Sequence, residues 1–264
     1  MRASPASSKD RDQPARQRVE KRARFAWLRA MIQDEARRHR FLFVMSLSGL
    51  AIVAALAFLA AQFPTLPFDL DTTLDLQGIH FAPFQRLMLA ISTIGYEPWA
   101  VIIVAAGSIL VALLLGWKDG VFLGTTSGFQ AVVNSLIKIA VGRPRPAAPL
   151  VQVFRHAAGR SFPSGHVMLY TVFFGFLFFL AWTRLPHSFW RALALILTGG
   201  LVLLVGPSRI YLGAHWLTDV VAGYILGFII LVLAIELYLK YLAPRRPTEQ
   251  EGLVGERDRD AGSG

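Results

Sequence analysis

Residues 208–219 read SRIYLGAHWLTD. Apolar segments flank this stretch, over residues 190–207 before it and 215–241 from its end onward. Each is close to the roughly 20 residues that a helix needs to cross a hydrocarbon core of ~30 Å. The stretch therefore reads as a tight turn between two membrane helices. It nevertheless holds Arg209, His215 and Asp219. Ionisable groups at such a place are costly and mark function unless they are mere anchors, so the rest of the chain must decide which.

Working outward from the turn, four more segments have the spanning length, at 41–63, 98–117, 121–141 and 166–184. The expected fold is all-α: an integral membrane bundle of six transmembrane helices. The first segment and its basic lead are too long for a cleaved signal peptide. Residues 83–94 are too short to span. Phe84, Leu87, Met88 and Ile91 give them helical periodicity, which predicts a short surface helix in the first outer loop. The chain of 264 residues is 54% hydrophobic and contains no cysteine. That composition excludes a solvated soluble domain, disulfides and thiol chemistry.

Three regions follow. Residues 1–40 form a basic cytoplasmic tail, partly disordered, with an interfacial helix over 25–40. Residues 41–243 form the six-span domain, and 244–264 a disordered cytoplasmic tail. Much of the net charge of +10 lies in the first tail. Inside a membrane protein that charge points to anionic lipid as partner, with no nucleic acid. Both tails and the turns at Lys118 and around Arg184 and Arg191 share one side, which is cytoplasmic by the positive-inside rule. The loops 64–97 and 142–165 and the turn before His215 then face outward. Arg143, Arg145, Arg155 and Arg160 in the second of these break the charge rule and call for another explanation.

The outer ends of three segments collect chemistry. In the span 121–141, Gln130, Asn134 and Lys138 are spaced by four and share a helical face. His215 and Asp219 are also four apart, so a carboxylate can orient the imidazole. SFPSGH, residues 161–166, opens another helix with Pro163, Ser164 and Gly165, and a helix N-terminus favours anions. Lys138, Arg145, Arg209, backbone N–H groups, His166 and His215 together suit a dianionic phosphate. Glu236 lies too far along its helix to join them. His156, Arg155, Arg160 and Arg143 could meet a headgroup or second phosphate. Gly223 and Gly227, four apart, read as a close helix contact.

In order, the chain carries KIAVGRPRP (Lys138, Arg145, Pro146), PSGH (Pro163 to His166) and Ser208-Arg209 with His215 and Asp219. With these three motifs the region 41–241 resembles the type 2 phosphatidic acid phosphatase superfamily, in its membrane-integral branch. The resemblance implies a metal-independent membrane lipid phosphatase without cofactor. His215 would be the nucleophile that becomes phosphohistidine, and Asp219 would orient it. His166 would protonate the leaving group and then activate water. Lys138, Arg145, Ser164, Gly165 and Arg209 would hold the phosphoryl oxygens. The expected substrate is a lipid phosphate or diphosphate: undecaprenyl diphosphate, phosphatidic acid or phosphatidylglycerophosphate. The expected location is a bacterial inner membrane, with the site on the periplasmic or extracellular face. A phosphotransferase using the same intermediate with a lipid or sugar acceptor fits the same motifs, and a non-catalytic lipid-binding or transport protein would fit degraded ones. Vanadium-dependent haloperoxidases share the motifs but are soluble. Oligomeric state is not legible.

Overall fold

The computed structural model describes residues 35–155 and 157–242. Residues 1–34 of the first tail, with most of the expected interfacial helix, the whole second tail, and His156 lie outside the described residues. The chain resolves into two units, Met1–Ala51 and Ile52–Gly264. The described part of the first is the opening half of one helix.

Eight helices and no strand occur among the described residues. They are α1 (Glu35–Gln62), α2 (Pro67–Gln77), α3 (Ala82–Ile94), α4 (Trp99–Leu114), α5 (Trp117–Val141), α6 (Gly165–Arg184), α7 (Phe189–Tyr211) and α8 (Leu217–Tyr241). Four are long and apolar enough to cross a membrane: α1 over Arg37–Gln62, α6, α7 and α8. The pair α3 and α4, bent by 68°, passes the same test only when taken together, as a broken span or a re-entrant loop. Helix α5 has 25 residues, but Asp119, Gln130, Asn134 and Lys138 interrupt its apolar run. Large apolar side chains such as Phe58, Leu113, Ile139 and Leu203 are exposed, as a lipid-facing exterior requires.

The centre is α6. Its Val167, Tyr170, Phe173 and Phe176 are buried in a cluster with Leu123, Val205, Ile210 and Val220. Helix α6 packs on α5, α7 and α8. The contact with α8 depends on the two glycines. A Cβ at Gly227 would lie 2.8 Å from Thr171 Cβ, and one at Gly223 would lie 3.0 Å from the Ser164 carbonyl oxygen. At the end remote from the polar turn, Tyr238 donates to Asp119, Arg184 Nη2 lies 2.5 Å from Tyr238 Oη, and α5, α6 and α8 are thereby tied together.

Three elements depart from the sequence reading. Helix α2 sits in what reads as loop, because PFDLDTTLDLQ has no apolar stripe; Pro67 starts it and Asp69 lies in its first turn, both good helix-start chemistry. Helix α3 has the expected bounds, and its buried Met88 and Ile91 pack into the core against α7. Helix α7 does not stop at Pro207 but runs through it to Tyr211. Proline removes a donor and frees the carbonyl four residues back. Here the Tyr224 hydroxyl donates to Val202 O (2.7 Å) and Leu203 O (3.2 Å) and accepts from Gly206 N (3.0 Å). The tyrosine thus covers the gap in the ladder, and the continued turn carries Ser208 and Arg209.

Filling the glycine seam should loosen the bundle. Gly227→Val is expected to cost about 1–3 kcal/mol, the range of overpacked cores, read as a lower unfolding midpoint in detergent. An unchanged midpoint would contradict the close α6–α8 contact.

Candidate active site

The turn between α7 and α8 is built by its backbone. Gly213 adopts φ +62°, a left-handed conformation that glycine takes without strain. The reversal brings Ala214 N and His215 N onto the Arg209 carbonyl at 3.1 and 3.2 Å. Gln77 of α2 fastens the turn, donating from Nε2 to Tyr211 O (2.9 Å) and Gln152 O (2.7 Å). His215 lies just before α8 rather than in its first turn, since the helix opens after Trp216. Asp219, in the first turn, accepts from the Trp216 N–H at 2.9 Å.

His215 is 1% exposed. Its Nδ1 stands 3.5 Å from Asp219 Oδ2, and its Nε2 stands 3.0 Å from Arg145 Nη1. A guanidinium only donates, so Nε2 must be the unprotonated nitrogen and the ring proton sits on Nδ1, facing the carboxylate. Burial, then the charges of Arg145, Arg209 and Lys138, hold the His215 imidazole well below its usual pKa range. The ring is therefore neutral, with its lone pair on the side of the cations.

Asp219 is more heavily held than its sequence spacing implies. Oδ1 takes Arg143 Nη1 at 2.7 Å, and Oδ2 takes the Ser161 hydroxyl as well as Trp216 N. The second Arg143 nitrogen, Nη2, reaches Asp69 Oδ2 of α2 at 2.6 Å. Asp69 also accepts from the Thr218 N–H at 2.9 Å. The side chains of Asp69, Arg143 and Asp219 are all 0% exposed. Sequence reasoning passed over Asp69, and it offered Arg143 for a headgroup or second phosphate, whereas Arg143 pairs with the two buried carboxylates. The charge-rule violation at Arg143 was a signal, but nothing marked Asp69.

The other expected residues gather around His215 unevenly. Arg145 is half-buried and donates to the Ala214 carbonyl (2.8 Å). Its charged state is disfavoured first by burial, then by Arg209. Lys138 Nζ is held by three carbonyls, Arg160 O and Pro163 O at 2.8 Å and Ser161 O at 3.3 Å. Arg209 is fully buried and gives Nη1 to the Ser92 and Tyr96 hydroxyls, the latter at 2.7 Å. Tyr96 packs edge-on against His166, ring centroids 4.6 Å apart, and lies under the Arg155 guanidinium at 4.0 Å. Ser92, in the last turn of α3, and Tyr96, just beyond its end, had no motif to announce them. Gly165 lets α6 begin against α5, since a Cβ there would lie 2.9 Å from Asn134 Oδ1.

Several buried polar atoms lack a protein partner among the described residues: Ser164 Oγ, His166 Nε2, Arg209 Nε and Nη2, and His215 Nδ1. Ser164 sits at the N-cap of α6 yet makes no capping bond with its side chain, so its hydroxyl is available. Buried donors without acceptors are costly. Donors of this kind around a neutral imidazole fit a multiply charged oxyanion. No three His, Cys, Asp or Glu side chains converge as a metal-ligand group among the described residues.

Residues 119–242 match the PAP2 superfamily. Phosphatidylglycerophosphatase B of Bacillus subtilis is 35% identical over 117 residues, 44% of this chain and 56% of that protein. A lipid A 1-phosphatase of Rhizobium etli is 32% identical over 123 residues, 44% of this chain and 48% of that one. The matched region spans about half the length of these relatives. The crystal structure of a transmembrane PAP2 type phosphatidylglycerolphosphate phosphatase from Bacillus subtilis superposes with a TM-score of 0.62 at 26% identity, covering 77% of this chain and 98% of that one.

Two outcomes follow from the site. Removing Arg143 strands two buried carboxylates, so Arg143→Met should lower stability by about 3–5 kcal/mol, read from unfolding in detergent. A loss within error would mean that the pair is not buried as described. His215 should stay neutral where a free imidazole, pKa about 6.5, is protonated. Nitrogen-15 NMR of labelled histidines, with His215→Ala to assign the signal, should show this. Its folded pKa is depressed, so the stability linked to it is present above about pH 6.5 and is lost as pH falls towards the folded value. A signal titrating at about 6.5 would contradict the description.

Proposed function

We propose that this chain, whose residues 119–242 match the PAP2 superfamily, is an integral-membrane lipid phosphatase working through a phosphohistidine on His215. The observation that carries this reading is a neutral, buried His215, lone pair towards Arg145, beside buried donors that lack acceptors. Nucleophilic attack needs a lone pair, and a surround of cations keeps the proton off it while drawing the anion in. The relatives' names, a phosphatidylglycerophosphatase and a lipid A 1-phosphatase, support a phosphate carried on a lipid.

In the first step His215 Nε2 attacks phosphorus and the P–O bond to the lipid breaks. Arg145 turns from the imidazole to a phosphoryl oxygen as the nitrogen engages. The positive charge that develops on the ring is met by Asp219 at Nδ1. Its carboxylate is fixed by Arg143, Ser161 and the Trp216 N–H. His166 gives its proton to the departing oxygen. Lys138, Arg145, Arg209, the Ser164 hydroxyl and the first N–H groups of α6, from Gly165 onward, hold the phosphoryl oxygens. In the second step His166 takes a proton from water, the water oxygen attacks phosphorus, and the P–N bond breaks to release phosphate and restore His215. Splitting the displacement in two and stabilising charge by fixed donors are the two sources of rate. No metal enters this scheme.

The same reading takes six membrane crossings, α1 and α4 to α8, with α5 crossing because its polar stripe faces inward. It places both termini in the cytoplasm and the site outward, on the positive-inside distribution of Lys and Arg. Undecaprenyl diphosphate, phosphatidic acid and phosphatidylglycerophosphate remain its candidate substrates.

The test is phosphate release by the purified protein in detergent with EDTA, from these lipids side by side. Release from at least one is expected, reduced at least ~10³-fold in His215→Ala, as for loss of a covalent nucleophile. The variant should still fold and purify from membranes. Full activity in His215→Ala would overturn the mechanism.

A further inference from the structure

Helices α4 and α5 and the start of α6 enclose a cleft of about 520 Å³ that ends on His166. Much of its wall is small: Gly124, Gly128, Ala105 and Ala131 line it. An apolar chain could fill such a cleft without help, yet its wall carries Ser108 and Gln130. Gln130 is 2% exposed. No side-chain hydrogen bond of Gln130 occurs among the described residues. The Ser108 hydroxyl is buried and equally without a partner there. The other serines of the wall, Ser127 and Ser135, turn their hydroxyls back to the Leu123 and Ala131 carbonyls at 2.8 and 2.9 Å, which is the usual way to silence such a group. Ser108 and Gln130 do not do this. A hydroxyl left unpaired away from water is destabilising unless a ligand meets it, and the unbonded Gln130 amide on the same cleft wall is free to meet one too.

We propose that Gln130 and Ser108 form a subsite for the acyl carbonyl of the lipid, and so select acylated glycerol-type phosphates over prenyl phosphates. This rests on the phosphatase reading above. Placement supports it. Gln130 lies one turn from Asn134, ~6 Å along α5, and Asn134 touches the start of α6 beside His166. A phosphate at His166 and a tail running along the cleft put the region just beyond the headgroup at this height. In a diacylglycerol phosphate that region holds ester carbonyls, which accept hydrogen bonds only. The Gln130 amide N–H and the Ser108 O–H are the donors they need. A prenyl phosphate has no polar atom there and would leave both donors unpaired, which is how a polar site rejects an analogue lacking the matching group.

The experiment compares kcat/KM for three lipids in one mixed-micelle system: a diacyl phosphatidic acid, its dialkyl-ether analogue without carbonyls, and a prenyl diphosphate. Wild type, Gln130→Met and Ser108→Ala are measured, each checked by thermal unfolding. The diacyl lipid should exceed the ether analogue by about 5- to 10-fold in wild type, the worth of a hydrogen bond between uncharged groups. It should exceed the prenyl lipid as well. In Gln130→Met the ester-to-ether ratio should collapse towards one, with no loss of melting temperature, because the removed amide had no protein partner. If Gln130→Met fails to fold, a reduced ratio in Ser108→Ala carries the test. A wild-type ratio near one, or a ratio untouched by either substitution while phosphate is released, overturns the subsite. Absence of release from all three lipids by wild type overturns the phosphatase reading itself, and the subsite with it.

Discussion

The Asp219 carboxylate is the point on which the site is hung. It is wholly buried and receives a guanidinium, a hydroxyl and a backbone N–H, and it stands next to the imidazole. Each donor comes from a different place: Arg143 and Ser161 from the two ends of the loop between α5 and α6, Trp216 from the entrance to α8. Arg143 in turn reaches α2 through Asp69. The Ser164 N–H donates to the Asp219 carbonyl at 3.0 Å, so the start of α6 is fixed to the same residue. Buried charge is tolerated only when it is paired and fully hydrogen-bonded. That constraint obliges α2, α6, α8 and the intervening loop to meet in one arrangement, and His215 is carried into place by it.

The two carboxylates and one guanidinium of this cluster balance differently from a simple pair. Arg143 alone serves both Asp69 and Asp219, with Thr218 completing the shell of Asp69 through its N–H and hydroxyl. The cluster therefore retains negative charge on the Nδ1 side of His215. Positive charge from Arg145, Lys138 and Arg209 lies elsewhere around it. The imidazole thus sits between an anionic anchor and a cationic field. In such a position it is neutral when the site is free of ligand, and a positive charge on it becomes acceptable once an anion offsets the cations.

What could be read in the sequence were the residues proposed to meet a phosphate, because their types are dictated by its chemistry. His215, His166 and Asp219 and the cations announced themselves by polar character at the edges of apolar runs. Their supports did not. Asp69 stands in PFDLD among other acids, and only the folded chain shows that it pairs with Arg143. Ser92 and Tyr96 hold Arg209 by hydroxyls, and hydroxyls are ordinary at helix ends. The passage of α7 through Pro207 depends on Tyr224, seventeen residues later and on another helix, which no local rule anticipates. Periodicity found the glycine contact of α8 and the bounds of α3 because those are repeated along one helix. The polar capture of α2 was invisible because it repeats nothing.

A cluster of three cations around one small volume should push itself apart, and the way it is held bears on the proposed catalysis. Lys138 rests on three backbone carbonyls, Arg145 on the carbonyls of Ala158, Gly159 and Ala214, and Arg209 on two hydroxyls. All of these acceptors are neutral. They orient the cations without cancelling their charge, whereas carboxylates in the same places would have neutralised the field that a phosphate feels. Hydrogen bonds to an anion are roughly twice as strong as those to a neutral acceptor, so a phosphoryl oxygen can displace these carbonyls or share their donors. The energy of organising the cations is thus met during folding, before any substrate arrives. Fixed donors of this kind need little rearrangement as charge builds on the transferring group. The same logic separates Asp219 from the rest: its negative charge is placed behind the imidazole, away from the incoming anion, and is tied to Arg143 so that it stays there.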